Sequence, residues 1–326
     1  MDLNGKRILV TGAAGFIGGR VADRLAKEEG AQVRAFVRRP LPDIDSVVGD
    51  MTDVGAVQRA TQGCDVVIHC AAKQFQPGTR SQFIAENAGG LESLARAALE
   101  SGVGRFVHLS TINVHGYPPP HGCNADSPLR ESGDFYSDSK IATERVAWQI
   151  YRECHLPLVV VRPACTYGPR GVAWTMTPVQ RVRQGKRVLI GDGSGLCNTA
   201  YVDNLVDLIL LAAKKDAAVG QAFIGSDGVG IPWREFYGAY ARMLGIPRLN
   251  SVPLTFARAV AWASEVVARV TGTRPIIARQ SVDFYSHHVV YDISKAQRIL
   301  GYAPRVSFEE GMRQTAKWLE DSGHLK

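Results

Sequence analysis

Short apolar runs alternate with amphipathic stretches along the first half of the chain. Five runs are almost continuously apolar, and they span residues 7–11, 32–37, 65–69, 105–110 and 158–162. Three stretches between them repeat apolar residues at helical spacing, over residues 18–29, 87–101 and 137–153. Apolar strands that alternate with helices are typical of a parallel sheet covered on both faces. The pattern therefore predicts an α/β fold of Rossmann type with a doubly wound parallel sheet.

The pattern changes after Pro163, where Gly, Pro and Trp become frequent and apolar strands appear only sporadically. Residues 204–215 predict a helix that packs back on the first part of the chain. We expect an NAD(P)-binding domain followed by a smaller, mostly helical C-terminal substrate lobe. The domain is expected to comprise residues 1–168 plus about 199–226, and the lobe about 169–198 and 227–326.

Composition excludes several classes of protein. With 45% hydrophobic and 21% charged residues, the chain has ordinary globular composition. The longest uncharged apolar run, at 208–213, is far shorter than the ~20 residues of a membrane helix. Because the N-terminus also lacks an apolar signal region, we expect a cytoplasmic protein with no integral membrane segment. Six scattered cysteines without a Cys-x-x-Cys pair indicate reduced thiols and no metal site.

The formal net charge is +7, and the arginines are spread along the chain without a basic run. Such a surface suits an anionic cofactor or substrate better than nucleic acid, so a small-molecule substrate is the expected partner.

A glycine-rich turn directly follows the first apolar run and opens a helix. Its spacing is Gly-x-x-Gly-x-x-Gly over Thr11–Gly18. Glycine permits the tight turn and a close approach to a pyrophosphate, and the helix N-terminus supplies N–H donors. The turn predicts dinucleotide binding by Gly12, Ala14, Gly15, Phe16, Ile17 and Gly18.

The end of the second run bears on the choice of cofactor. An acid there would bind the ribose hydroxyl of NAD, but residues 30–42 contain none. Arg38 and Arg39 are suited to a 2′-phosphate, which favours NADP over NAD; the alternative is that they are solvated loop arginines. Asp50, after a further short strand, is expected to contact the adenine or, alternatively, to cap the next helix.

Tyr136 and Lys140 are four residues apart, so they share one face of a helix. Ser110 and Thr111 end a strand at the same sheet edge as the glycine turn, where chemistry gathers in such folds. A phenol titrates near 10, so a base at neutral pH needs about 4 kcal/mol, which is what a cation ~4 Å away can supply. The second copy of the pattern, Tyr291 with Lys295, lies beyond the sheet and predicts a packing residue.

Together these residues resemble the extended short-chain dehydrogenase/reductase superfamily, of the NAD-dependent epimerase/dehydratase type. The resemblance is carried by the glycine turn, Asp50, Ile68–Ala72, Asn87, Ser110–Gly116, Tyr136 with Lys140, and Arg162–Pro169. It implies that Thr111 orients the substrate oxygen beside Ser110, that Tyr136 is the acid/base, and that Lys140 holds the nicotinamide ribose and lowers the pKa of Tyr136. The cofactor contacts that it implies beyond the glycine turn are Asp50, Met51, Cys70, Ala71, Ala72, Pro163, Ala164 and Cys165. It also implies a homodimer.

Two departures from the family pattern bear on the reaction. Ile112 and Asn113 follow Thr111 where sugar-nucleotide dehydratases carry an Asp-Glu pair, and residues 197–204 lack the arginine that holds a substrate diphosphate. The segment is more similar to the 3β-hydroxysteroid dehydrogenase-like branch. We therefore expect an NAD(P)-dependent oxidoreductase that interconverts a secondary alcohol and a ketone on a hydroxysteroid-like or other apolar substrate. The alternatives are an NAD-dependent sugar-nucleotide 4-epimerase and, remotely, a non-catalytic dinucleotide-binding sensor.

The stretch 254–270 is rich in apolar residues but interrupted by three charges. It predicts a helix that packs on the C-terminal lobe or forms an oligomer contact; the alternatives are a substrate lid and a helix that touches a membrane.

Overall fold

Seven parallel strands form the central sheet. The computed structural model describes residues 1–74, 76–271, 273 and 275–325, with Arg187 described by its backbone only. In chain order the strands are β1 Arg7–Thr11, β2 Gln32–Val37, β3 Asp45–Val48, β4 Val66–His69, β5 Arg105–Leu109, β6 Leu158–Pro163, β7 Cys165–Tyr167, β8 Arg187–Ile190, β9 Leu196–Tyr201, β10 Gln221–Gly225, β11 Gly230–Pro232 and β12 Asn250–Val252. The order across the central sheet is β10-β6-β5-β4-β1-β2-β3, with every pair parallel. The predicted doubly wound Rossmann-type sheet is confirmed.

Helices connect these strands and build the C-terminal part. They are α1 Phe16–Lys27, α2 Val54–Thr61, α3 Arg80–Ile84, α4 Gly90–Glu100, α5 Phe135–Cys154, α6 Thr177–Arg183, α7 Val202–Lys214, α8 Trp233–Met243, α9 Leu254–Thr271, α10 Arg279–Ser286, α11 Ser294–Leu300 and α12 Phe308–Asp321. A π-helical turn at Ala85–Gly89 joins α3 to α4. The predicted helix at 87–101 therefore starts inside this turn.

Both faces of the central sheet are covered, which explains why its strands are apolar without alternation. Ile8 and Val10 of β1 belong to the core on the α1 and α7 side, whereas Leu9 belongs to the core on the α2, α4 and α5 side. All three side chains are fully buried. Each such side chain contributes about 1.5–3 kcal/mol when it is removed from water. As predicted, α7 packs against α1 and the sheet.

Two small sheets lie beyond the central one. β11, β9 and β7 form a three-stranded sheet, and β12 pairs with β8. The strands β7 and β9 were not predicted, because they are short and their sequences, CTY and LCNTAY, mix polar and apolar residues. Among the described helices, none is both long and apolar enough to cross a membrane.

Candidate active site

The glycine turn forms a cradle between β1 and α1. Gly12 has a φ of +70°, in the left-handed region that glycine tolerates. A Cβ on Gly18 would lie 2.4 Å from the Gly12 carbonyl oxygen, so the helix can approach the turn only without a side chain. Gly15 is the N-cap of α1, and the amides of the first helical turn have no carbonyl partner within the helix. The turn therefore fits a pyrophosphate.

The segments after β4 and β6 lie at the same edge of the sheet. Thr11 Oγ1 accepts a hydrogen bond from Ala71 N at 3.1 Å, and a Cβ on Gly12 would come within 2.9 Å of that nitrogen. Beside it, burial raises the pKa of the Cys70 thiol to about 12. After β6, Ala164 N donates to Gly225 O at 2.9 Å and so joins the chain to the end of β10. The structure thus places Cys70 and Ala71 against the glycine turn, whereas residues 163–165 lie at the same sheet edge next to the end of β10.

The predicted adenosine end is open to solvent. Arg38 and Arg39 are exposed directly after β2. The carboxylate of Asp50 accepts hydrogen bonds from Thr52 N at 3.1 Å and Thr52 Oγ1 at 2.8 Å, and these bonds lower its pKa. The helix cap at α2 is Asp53, which accepts from Ala56 N at 3.0 Å, so the alternative interpretation of Asp50 as that cap is wrong.

Met51, also predicted as a cofactor contact, packs against the start of α4. A Cβ on Gly90 would lie 3.0 Å from the Met51 Cβ.

Lys140 lies on the inner face of α5 beneath the sheet edge. It is 2% exposed, and its Nζ donates to the Leu109 carbonyl oxygen at 2.5 Å and lies 3.5 Å from His108 Nε2. Burial lowers the pKa of Lys140 to about 8. His108 lies fully buried in β5, where burial and the lysine charge hold its pKa well below the ordinary value. A neutral imidazole can accept from the ammonium group and so fixes the direction in which Lys140 points.

Tyr136 lies one turn before Lys140 on the same face of α5 and is half-buried. Burial and the nearby Asp134 carboxylate raise the pKa of its phenol well above the ordinary value. The net shift is upward, opposite to the direction expected from Lys140, whose ammonium group donates to the Leu109 carbonyl oxygen. The phenol is protonated at neutral pH and can donate a proton.

Ser110 and Thr111 follow β5, and both are buried. The Thr111 hydroxyl accepts from Asn113 N at 3.3 Å, and the Ser110 hydroxyl contributes to lowering the pKa of Glu144. Thr111, Tyr136 and Lys140 thus come from the segments that the sequence pattern placed at one sheet edge.

A buried ion pair, which was not predicted from the sequence, joins α5 to β6. Glu144 continues the row of Tyr136 and Lys140 by one more turn, and its carboxylate binds Arg162 of β6 at 2.6 and 2.9 Å. The side chains of the two residues are 0% and 5% exposed. The guanidinium also donates to Ala125 O at 2.6 Å. Two features of the sequence could have indicated this pair. Glu144 lies four residues after Lys140, and Arg162 is the charged residue at the end of an apolar strand.

Asn87 connects the substrate side of the sheet edge to α5. Its Oδ1 accepts from Lys73 N at 2.7 Å, and its Nδ2 donates to Ser139 Oγ at 2.8 Å. The residue lies in the π-helical turn, a feature often found at functional sites. The resemblance included Asn87 without giving it a role.

An aromatic cluster begins next to the segment that carries Thr111. The Tyr117 hydroxyl donates to Asn113 Oδ1 at 2.8 Å, and its ring lies 4.8 Å edge-on from the Phe284 ring. Phe284 stacks on Trp174 with ring centroids 5.7 Å apart, and Tyr117 stacks on His287. Tyr117, Trp174 and Phe284 are each only partly buried. Together with His287, these three residues form a surface that we call the aromatic wall.

The second Tyr-x-x-x-Lys pattern lies in the C-terminal part of the chain, where Tyr291 precedes α11 and Lys295 lies within it. Tyr291 is 1% exposed and packs its ring on His115, as predicted, and Lys295 forms an ion pair with Asp126 at 2.6 Å. Among the described residues, there is no group of three or more His, Cys, Asp or Glu side chains that could hold a metal ion.

Comparison with known proteins adds relatives along the whole chain. The NAD dependent epimerase/dehydratase family matches residues 8–224. The 2-alkyl-3-oxoalkanoate reductase of Stenotrophomonas maltophilia is 31% identical over 94% of this chain and 98% of its own. The UDP-glucose 4-epimerase of Vibrio cholerae is 29% identical over 96% of this chain and 95% of its own. The dTDP-glucose 4,6-dehydratase DesIV of Streptomyces venezuelae, solved with NAD and TYD bound, is 26% identical with a TM-score of 0.78 and covers 98% of this chain and all of its own.

The fold and the site, taken with these relatives, define an NAD(P)-dependent enzyme of the extended short-chain dehydrogenase/reductase type. More narrowly, the chain belongs to the NAD-dependent epimerase/dehydratase family. Since the relatives include both a reductase and an epimerase, family membership alone does not select the reaction.

Proposed function

We propose that the protein is a reductase that converts an apolar ketone to a secondary alcohol at the expense of NAD(P)H, and that it can run in reverse. The observation that carries this proposal is the aromatic wall. Its Tyr117 binds Asn113, two residues from Thr111, and the apolar part of the substrate would lie against its rings. Aromatic walls with few polar groups favour apolar ligands. The similarity to a 2-alkyl-3-oxoalkanoate reductase supports the same substrate class.

The residues divide the work as follows. Bound nicotinamide would supply or accept the hydride. Thr111 orients the substrate oxygen, and the protonated Tyr136 phenol donates its proton to that oxygen as the ketone is reduced. Lys140 holds the cofactor ribose, while Ser110 lies behind Thr111 against Glu144. Because the Tyr136 phenol is protonated at neutral pH, it begins the reductive direction in the form that can donate a proton.

The proposed cofactor site runs along the sheet edge. The glycine turn would hold the pyrophosphate, the segments at 70–72 and 163–165 would line the nicotinamide side, and Asp50 with Met51 would lie at the adenine. We propose a preference for NADP over NAD, since Arg38 and Arg39 are exposed and form no ion pair with any described residue. The cofactor would bind to residues 1–168 plus about 199–226, and the substrate to the remaining lobe.

A sugar-nucleotide 4-epimerase is the second candidate, because the Vibrio cholerae relative carries that name. Against it stands the segment 197–204, where Cys197, Asn198 and Thr199 are buried in β9. The Asn198 side chain is used internally, since it binds Val289 O and Tyr291 N. A substrate diphosphate would find no cation in this segment.

The deciding experiment starts from freshly purified protein. Its nucleotide is extracted under denaturing conditions and identified by mass spectrometry. We expect an empty protein or partial NADP(H), followed by NADPH oxidation with 2-alkyl-3-oxo acids and other apolar ketones. Near-stoichiometric NAD(H) together with interconversion of UDP-sugars would replace this proposal by the epimerase.

The Tyr136→Phe variant tests the mechanism. It should lose turnover while dinucleotide affinity stays within a few-fold, and turnover at the wild-type rate would show that Tyr136 is not the proton donor. The family resemblance further leads us to propose a homodimer, which light scattering of the purified protein checks, and the apparent lack of an apolar signal region leads us to propose a cytoplasmic location.

A further inference from the structure

The helix α9 buries small residues and exposes large apolar ones, whereas an ordinary amphipathic surface helix buries its large apolar residues. Its buried residues are small, namely Ala257, Ala261 and Ala268. Its bulky apolar residues face solvent instead, with Trp262 59% exposed, Val267 58% and Val270 82%. Exposed apolar patches of this kind mark binding surfaces in stable proteins.

The exposed apolar residues of α9 fall on one side of the helix. At about 100° per residue, the exposed apolar residues between 256 and 270 fall within roughly 140° of the circumference, with Trp262 at one margin. We call this surface the α9 face; it comprises Phe256, Ala259, Trp262, Ala263, Val266, Val267 and Val270. In the loop that follows, Ile276 is 94% exposed and Ile277 41% exposed, and their amides donate to Ser264 of the helix.

Positive charge borders the α9 face. Arg258 and Arg269 are exposed on the side of the helix next to Trp262, and neither forms an ion pair with any described residue. Glu265 is the one acid in the sequence from 254 to 279, and it is bound by Arg279 through N at 2.8 Å and Nε at 2.7 Å. The segment contains four arginines and this single glutamate, so its net charge is +3.

We propose that the α9 face binds the surface of a lipid bilayer that contains anionic phospholipid, with the helix parallel to the membrane plane. An apolar face bordered by tryptophan and arginine matches the boundary between acyl chains and headgroups. Arg258 and Arg269 would meet lipid phosphates, for which guanidinium is well suited. A second copy of the chain fits less well, because a twofold contact would bring the same arginines of both copies together.

The position of α9 connects this surface to the substrate side of the molecule. Val282 of α10 is 1% exposed and lies in the small core beneath α9, two residues before Phe284 of the aromatic wall. A docked enzyme would therefore hold its cleft near the bilayer, where apolar substrates concentrate. This last consequence rests on the proposed function, but membrane binding itself does not.

Sedimentation with vesicles tests the proposal without substrate or cofactor. The full-length protein is spun with vesicles of phosphatidylcholine alone and with vesicles that also contain about 30 mol% phosphatidylglycerol. We expect binding to the anionic vesicles that weakens as salt is raised to about 0.5 M, since exposed charges are then screened.

Variants separate the contribution of apolar burial from that of the arginine charges. The triple variant W262S/V266S/V270S should bind anionic vesicles at least about tenfold more weakly, because apolar burial drives interfacial binding. R258Q/R269Q should lose the preference for anionic over neutral vesicles. The matched control V54S/V172S changes valines that are 56% and 59% exposed outside α9, and it should bind like the wild type.

Three results would overturn the proposal. These are equal recovery of the wild type with and without anionic lipid, undiminished binding by the triple variant, and a dimer that the triple variant dissociates while no lipid binding is seen. Near-ultraviolet circular dichroism establishes that each variant is folded, and V270D provides a second test at the most exposed position of the face. Failure of the ketone assay leaves these outcomes unaffected, so the two proposals fail separately.

Discussion

Replacing Glu144 by glutamine should strongly destabilise the protein, although the change alters neither size nor shape. Arg162 makes two bonds to this carboxylate, and with side chains 0% and 5% exposed, neither partner has access to water. Glutamine leaves the guanidinium charge buried and uncompensated, which typically costs about 3–5 kcal/mol. Unfolding entropy of about 2.1 cal/mol/K per residue converts that range to a fall in Tm of about 4–7 °C.

Urea denaturation followed by circular dichroism measures the loss. The matched control is Glu131→Gln, whose carboxylate pairs with Arg80 at 3.0 Å and Arg145 at 2.7 Å but is 42% exposed. Exposed pairs contribute about 0–1 kcal/mol, so this variant should stay close to the wild type. The double variant E144L/R162M should recover part of the loss, since apolar pairs can replace buried ion pairs. If E144Q costs no more than E131Q, the reasoning about an uncompensated charge is refuted.

The Glu144–Arg162 pair should also make the stability of the protein depend on pH. Arg162 holds the pKa of Glu144 below its ordinary 4.5, so the folded state favours the ionised form. The stability that the ionised Glu144 contributes is complete above the pKa of this carboxyl in the unfolded state. It is lost as the pH falls toward the lower pKa of the folded state. The stability advantage of the wild type over E144Q should therefore shrink below about pH 4.5.

Three further predictions concern the cofactor site. Gly18→Ala places a Cβ 2.4 Å from the Gly12 oxygen and should weaken dinucleotide binding by calorimetry at least about 100-fold, whereas Gly89→Ala, where a Cβ meets no described atom within 4 Å, should bind normally. In steady-state kinetics, R38A/R39A should raise KM for NADPH at least about tenfold and leave KM for NADH nearly unchanged; equal effects would refute the NADP preference. Lys140 has its pKa lowered to about 8 in the folded protein, so between that pH and its unfolded value of 10.5 the unfolded state binds more protons. Over this range denaturant titrations should show the wild type gaining stability relative to Lys140→Met, and a constant difference would refute the shift.

The central sheet was predictable from sequence because its strands are buried on both faces. The strand Leu158–Pro163 begins with four consecutive apolar residues that are fully buried, so it is visible as an apolar run. The glycine turn and the Tyr136/Lys140 spacing were predictable because their chemistry imposes local constraints, a missing Cβ in one case and a helical repeat in the other.

What the sequence did not reveal depends on contacts between distant segments. The direction of the Lys140 ammonium is set by Leu109 and His108 in a strand about 30 positions earlier. The aromatic wall joins Tyr117 to Phe284 across the two halves of the chain. No local period encodes such pairings, and the same holds for the buried partner of Arg162.

Strand β10 has a consequence for how the protein is made. It completes the central sheet by pairing with β6, yet it is synthesised only after the first part of the C-terminal lobe. Until Gly225 has left the ribosome, β6 presents an unpaired edge whose Leu158, Val159, Val160 and Val161 are all fully buried in the finished fold. At about 5–20 residues per second that interval lasts several seconds, long enough for edge-to-edge association. A fragment that ends at residue 168 would keep this edge permanently and should aggregate during expression, whereas one extended to about residue 226 would carry its own covering strand.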